Sequence, residues 1–215
     1  FGAYATVQST CANYVFDGTD GKAYQFQYQV TDNAGNQSAW VESSSVTKID
    51  LTDPTISCSI TEGTNSQYQY LVGDNLLYYS STYTGGFNLL ATAADTNGVA
   101  NGTFPTLGTG FGGGGSDTGA PFTKAYTWNT SATTSPGSIT MTVTANSGRT
   151  NTCNVTITRD VVGPTSGTMT YNTQYITNLS TDPLMTVSDG SVTGADINIG
   201  SRQLQRRGGE RSEEH

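Results

Sequence analysis

Short runs of alternating apolar and polar residues fill this chain, and turn-forming residues break them at close intervals. The run Tyr24-Gln-Phe-Gln-Tyr-Gln-Val30 is an example. A period of two places alternate side chains on opposite faces of a strand. The pattern predicts strands over 24–31, 45–50, 55–61, 67–72, 76–79, 87–94, 123–128, 138–145 and 152–159, and further on over 168–171, 184–187 and 201–206. Between them stand Asp17-Gly18, Asp32-Asn-Ala-Gly-Asn36, Gly73-Asp-Asn75, Gly85-Gly86, Asn97-Gly98, Asn146-Ser-Gly148 and Asp189-Gly190, all suited to tight turns. No segment carries the 3.6-residue period of an amphipathic helix. Many short strands separated in this way predict an all-β chain built as a sandwich or barrel.

Two junctions punctuate the strands. Asp50-Leu-Thr-Asp-Pro-Thr55 and Arg159-Asp-Val-Val-Gly-Pro-Thr165 share one form: an acidic residue, a short spacer, then Pro-Thr. Their prolines lie 110 residues apart, close to the ~100 residues of a two-sheet sandwich. Proline fixes its own backbone angle and cannot donate to a ladder, which suits a short stiff linker. The expected organisation is a complete domain at 53–163 between two partial ones. Residues 1–52 read as the closing half of a sandwich and 164–215 as the opening half of the same kind.

The residues that carry a resemblance are "VTDNAGNQSAW" with "VTKIDLTDPT", "SPGSITMTVTANSGRTNTCNVTITRD", and "GPTSGTMTYN" with "VSDGSVTGADINIGSRQLQRR". They resemble the tandem bacterial immunoglobulin-like repeats of large surface and secreted proteins, with a second repeat type in the centre. That resemblance implies tandem immunoglobulin-like sandwiches serving as spacers or adhesive stalks. It also implies that the Arg-Gln-Leu-Gln-Arg strand runs on into a stretch like Phe1-Gly-Ala-Tyr-Ala-Thr-Val7. The strand of Arg202, Leu204 and Arg206 would then lie beside Tyr24, Phe26, Tyr28 and Val30 of another repeat, so copies or adjacent repeats would join head-to-tail. The family often has cysteines where this chain has Ala23 and residues 211–215, and without them Cys11 has no expected partner.

Composition narrows the function classes. Only 12% of residues are charged, about half the usual share, and polarity comes instead from Thr, Ser, Asn, Gln and Gly. The net charge of -8 argues against nucleic acid and anionic membrane as partners. The arginines near the end of the sequence are interleaved with glutamates and read as a solvated strand edge. No apolar run approaches the ~20 residues that span a bilayer, so no membrane insertion is expected. Cys58 and Cys153 stand near the two ends of the central domain, where first and last strands could be neighbours. A disulfide there suits an extracellular or cell-surface location, the competing reading being two buried thiols.

Catalysis is not expected. The single histidine is His215, so no Ser-His-Asp or Cys-His constellation has a base. The acids fall in turns and junctions, where solvation and turn formation explain them. Gly108-Thr-Gly-Phe-Gly-Gly-Gly-Gly115 lacks the Gly-Lys-Ser/Thr of a phosphate loop and reads as a flexible loop between sheets. No cofactor is expected, with calcium the one ion to consider. Asp32, Asn36, Asp50 and Asp53 lie at loop and linker ends, where oxygen ligands stiffen junctions between extracellular modules; the simpler reading of Asp32-Asn-Ala-Gly-Asn36 is a plain tight turn. Tyr68, Tyr70, Tyr78, Tyr79 and Tyr83 cluster within sixteen residues and read as packing rather than sugar stacking. The expected function is a structural building block of an extracellular fibre, filament or stalk. The alternative is a cell-surface adhesin or carbohydrate-binding module.

Overall fold

The computed structural model describes residues 15–163, together with Ala5, Asn13 and the backbone of two strands further on. Cys11, Arg202, Leu204, Arg206 and the strand expected at 201–206 lie outside the described residues. The first region holds β1 (Ala23–Tyr24), β2 (Gln27–Tyr28), β3 (Val41–Glu42) and β4 (Thr47–Lys48). The central region holds β5 (Thr55–Glu62), β6 (Gln69–Val72), β7 (Leu76–Tyr79), β8 (Gly85–Ala94) and β9 (Val99–Phe104). It continues with β10 (Phe111–Gly112), β11 (Gly115–Asp117), β12 (Phe122–Trp128), β13 (Gly137–Ala145) and β14 (Thr150–Arg159). The further pair is β15 (Thr168–Tyr171) with β16 (Met185–Ser188). The one helical element among the described residues is a 3₁₀ turn at Ser66–Tyr68, so the chain is all-β there, as its alternation predicts.

Two sheets make the central region. One runs β10-β12-β8-β5 and the other β11-β9-β13-β14-β7-β6. Alternation decides which side chains face inward. Along β13, Ile139, Met141, Val143 and Ala145 are buried while Ser138 and Thr140 are exposed. The inner faces of both sheets meet in one core. The first sheet contributes Phe87, Leu89, Phe122, Tyr126 and Trp128, and the second Leu77, Tyr79, Met141, Val155 and Ile157. Burying each such side chain contributes about 1.5–3 kcal/mol relative to exposure, so this region is sandwich-like with a core of its own. Cys58 of β5 and Cys153 of β14 are joined by a disulfide with their Cα atoms 5.9 Å apart. The bond ties the edge strand of one sheet to the interior of the other across 95 residues of sequence.

Within the central region, three differences from the sequence pattern stand out. First, β9 was not legible. Its Asn101-Gly102 pair is poor strand sequence, but a Cβ on Gly102 would stand 2.8 Å from Phe122 Cβ, so the glycine lets the Phe122 ring lie against the strand. Second, the glycine stretch 108–115 is not a structureless connection. It crosses between the sheets and leaves a short strand on each, β10 and β11. Gly113 adopts φ +116, and a Cβ there would meet the Ala125 carbonyl oxygen at 2.7 Å. Third, Gly85 and Gly86 open β8 instead of forming a turn before it.

The first region is a single irregular hairpin. Its arms pair at Tyr24↔Thr47 and again at Tyr28↔Val41. Between those points one arm has three residues and the other five, so the long strand expected over 24–31 breaks into two short ladders. Ser43 bridges the break: its N–H donates to the Phe26 carbonyl at 2.7 Å, and its hydroxyl accepts the Phe26 N–H at 3.2 Å.

Candidate assembly surface

The turn of the hairpin is built by Asp32. Its carboxylate accepts the N–H of Ala34 at 2.9 Å, the N–H of Asn36 at 2.8 Å and the Asn36 side-chain amide at 2.9 Å. Those bonds, led by the Asn36 side chain, hold the Asp32 carboxyl below the usual carboxylate range. Asp32 and Asn36 therefore act on each other, as a short Asx-type turn does.

At the other end, the hairpin closes onto the linker. Gly21 N–H donates to Ile49 O and Ile49 N–H to Lys22 O, both at 2.9 Å. The Asp20 carboxylate accepts the Thr52 hydroxyl and the Leu51 N–H, and these bonds depress its pKa in that order. The linker is in turn tied to the sandwich. Arg149 Nε lies 2.8 Å from Asp53 Oδ1, and the Asn151 amide donates to Pro54 O at 2.8 Å. The backbone at Gly21 also approaches the β8–β9 loop, with Thr96 Cγ2 3.3 Å from where a Cβ would be. Asp20, Arg149 and Asn151 belong to this joint, yet nothing in the sequence flagged them. Their partners are distant in sequence, and turn residues look alike until the chain folds.

The four residues considered for calcium therefore fall into two places. Asp32 and Asn36 sit in the hairpin turn, while Asp50 and Asp53 sit in the linker at its opposite end. Asp53 is engaged by Arg149. One Asp50 oxygen is cut off from solvent without a hydrogen-bond partner. Among the described residues, no three His, Cys, Asp or Glu side chains gather at metal-binding spacing.

The residues expected to meet a neighbouring repeat divide as well. Phe16 packs edge-on against Tyr24, ring centroids 4.6 Å apart, and against Phe26 at 5.1 Å. Beyond this cluster, Tyr28 is 60% exposed and Val30 50%. Val41, which sequence reasoning did not single out, stands directly across from Tyr28 and is 46% exposed. Directly opposed residues of an antiparallel pair share a face, so Tyr28 and Val41 form a bare apolar patch. A two-stranded hairpin is marginal in water without packing against something else.

The tyrosine cluster resolves mostly into packing. Tyr79 is buried, and its hydroxyl lies 2.9 Å from the Ala132 carbonyl oxygen and 3.2 Å from that of Thr134, to which it donates. Tyr70 and Tyr78 oppose each other across β6 and β7. Tyr68 stacks on Tyr83 at 3.8 Å, with Tyr83 46% exposed. Lys124 donates to the Ser116 carbonyl at the edge of the glycine crossing. Among the described residues, no helix is long and apolar enough to cross a membrane. Compared with family models and with curated proteins, the chain matches none.

Proposed function

We propose that this chain is a non-enzymatic building block of an extracellular fibre, filament or stalk, made of immunoglobulin-like units arranged head-to-tail. The observation that carries the reading is the pairing of two unlike neighbours. A sandwich stapled by Cys58–Cys153 stands next to a hairpin with an uncovered apolar patch, and a short, clasped linker joins them.

The strand order supports immunoglobulin-like units. An immunoglobulin sandwich places strands A, B, E and D in one sheet and C, F and G in the other. Lettering β5, β8, β9, β10, β12, β13 and β14 as A to G gives A-B-E-D and C-F-G, with β11 extending the second sheet beside C. Two departures are specific to this chain. The disulfide joins A to G, and β7 pairs parallel to β14. A disulfide persists in oxidising surroundings, which supports a place outside the cell. The domain limits 1–52, 53–163 and 164–215 belong to the same reading; the buried core, from Ile60 to Ile157, lies inside the middle one.

A second reading, a cell-surface adhesin or carbohydrate-binding module, is favoured by the exposed Tyr83 ring, since aromatic faces stack on sugars. Immunogold microscopy of intact source cells, with an antibody raised against residues 53–163, separates these readings. The building-block reading expects label repeated along fibres outside the cell. Label confined to the cytosol sinks both readings, and scattered surface label without fibres, together with glycan binding lost in Tyr83→Ala, selects the adhesin.

A further inference from the structure

Tension on a chain follows its covalent path, so the placement of a cross-link decides which residues feel a pull. The sandwich is entered at β5 and left at the end of β14, the first and last of its strands among the described residues. Cys58 is the fourth residue of β5 and Cys153 the fourth of β14, and their bond spans 95 positions of sequence. Of the buried core side chains among the described residues, Val155 and Ile157 lie outside that span, and the rest, from Ile60 to Val143, lie within it. From residue 53 to residue 163 the covalent route therefore has two branches. A short one runs through the disulfide and a long one through the core.

The short branch has little slack. Residues 55–58 and 153–159 are strand, which rises about 3.3 Å per residue where a fully stretched chain reaches at most about 3.6 Å. Both ends of the branch are also fastened. At the entry, Asp53 and Pro54 are held by Arg149 and Asn151, at the start of β14. At the exit, residues 156–159 pair in register with residues 76–79 of β7. There the Asp160 N–H donates to the Tyr79 carbonyl at 2.9 Å, and Arg159 Nε donates to the Ser81 hydroxyl at 2.6 Å. Entry and exit thus lie at opposite ends of β14, so a pull between them runs along that strand. Because β14 sits between β13 and β7, such a pull strains its ladder bonds together instead of one after another.

We infer that Cys58–Cys153 is a tension bypass. A pull across the sandwich passes through residues 53–58, the disulfide and residues 153–163, and the long branch that holds the core carries none of it. The inference rests on the reading of the chain as part of a fibre or stalk, whose modules are pulled end to end, and gives the bond a mechanical role there. With the bond intact, the short branch stretched to its limit measures at most about 50 Å. With the bond broken, the 95 positions it spans enter the path and add about 310–340 Å when fully stretched.

Optical-tweezers stretching of the full chain, held by tags ligated to its two ends, tests this. The double variant Cys58→Ser with Cys153→Ser should lengthen by that full step at a force the oxidised wild type withstands without it. A near-UV signal from the buried Trp128 like that of wild type verifies that the variant is folded before it is pulled. If the variant does not fold, wild type held at constant force and then given dithiothreitol supplies the comparison. The reagent's two thiols reduce the bond to two cysteine thiols and close into a cyclic disulfide, and the same step should follow. A wild type that takes the full step without reductant would overturn the inference. So would a folded variant, or a reduced wild type, that withstands the same force, because ladder hydrogen bonds would then carry the tension. The fibre reading stands or falls separately on the immunogold label: fibres without the bypass sink this inference alone, and a bypass without fibres sinks that reading alone.

Discussion

The hairpin and the sandwich are made of similar residues and reach opposite outcomes. Both alternate apolar with polar positions, and both use Asx turns. In the sandwich, the apolar set of each sheet meets the apolar set of the other, and Phe122, Met141 and Ile157 are fully buried. In the hairpin, a strand pair of the same character has little to meet. Seven of the ten large hydrophobic residues exposed among the described residues lie between Val15 and Leu51. Alternation specifies a strand with two faces; only a second layer turns one face into a core. The hairpin holds its shape instead through side-chain bonds, from Asp32 in the turn, Ser43 at the break and Asp20 at the base.

The largest expected effect that sharpens this contrast is removal of the disulfide. Changing Cys58 and Cys153 together to Ser frees a loop of 95 residues, which in the chain-entropy model costs roughly 4–5 kcal/mol. Denaturant unfolding followed by Trp128 fluorescence should show that loss, and the hairpin should not register it. A loss under about 1 kcal/mol would mean that the core alone carries the sandwich.

Truncation comes next. Trp128→Ala should cost about 3–5 kcal/mol, because it empties the centre of the core, where Trp128 also donates to the Ser80 carbonyl at 3.1 Å. Tyr28→Thr in the isolated chain should cost within about 0.5 kcal/mol, as exposed positions do. Equal costs at the two positions would erase the distinction between the regions.

Alkaline pH separates them. Burial pushes the Tyr79 and Tyr126 hydroxyls up to about 12 from a usual 10.0. Their contribution is full below pH 10 and is lost as pH rises towards 12, because the folded chain favours the neutral phenol. This alkaline loss belongs to the sandwich alone. The depressed carboxyls act in the opposite sense: Asp20 and Asp32 in the hairpin, and Asp117 in the sandwich, held by the Thr123 and Gly119 N–H groups. Their contribution is present above about pH 4 and falls as pH drops through their lowered values. Thermal unfolding across pH should therefore be flat between about 4 and 10, with acid reaching both regions. Alkaline loss in the hairpin signals would contradict the assignment.

The smallest effect concerns the joint. Arg149→Ala removes the exposed pair with Asp53, and its cost should stay below about 1 kcal/mol and vanish in high salt. Its readout is orientation: small-angle scattering of the variant should show a wider spread of hairpin positions, and an unchanged profile would assign the joint to Asp20 and the Pro54 carbonyl contact.

How much was legible follows from the range of each interaction. Strands such as β7 and β14 could be read because alternation and turn residues are local signals. The pairing of Cys58 with Cys153 was readable as one of two options, because the ends of a sandwich strand series tend to meet. The sequence by itself determined an all-β chain, its turns, its low charge and its punctuation at Pro54. Tertiary structure alone decided the rest. It made Gly102 a strand residue by laying Phe122 across it, and it drew the glycine crossing into both sheets. It set β7 parallel to β14, brought Asp20 to Leu51, and left Tyr28 and Val41 bare while hiding Phe87 and Tyr126. Each of these depends on what lies across a sheet or a seam, and a side chain's burial is fixed by its neighbours in space, which a period of two along the chain cannot name.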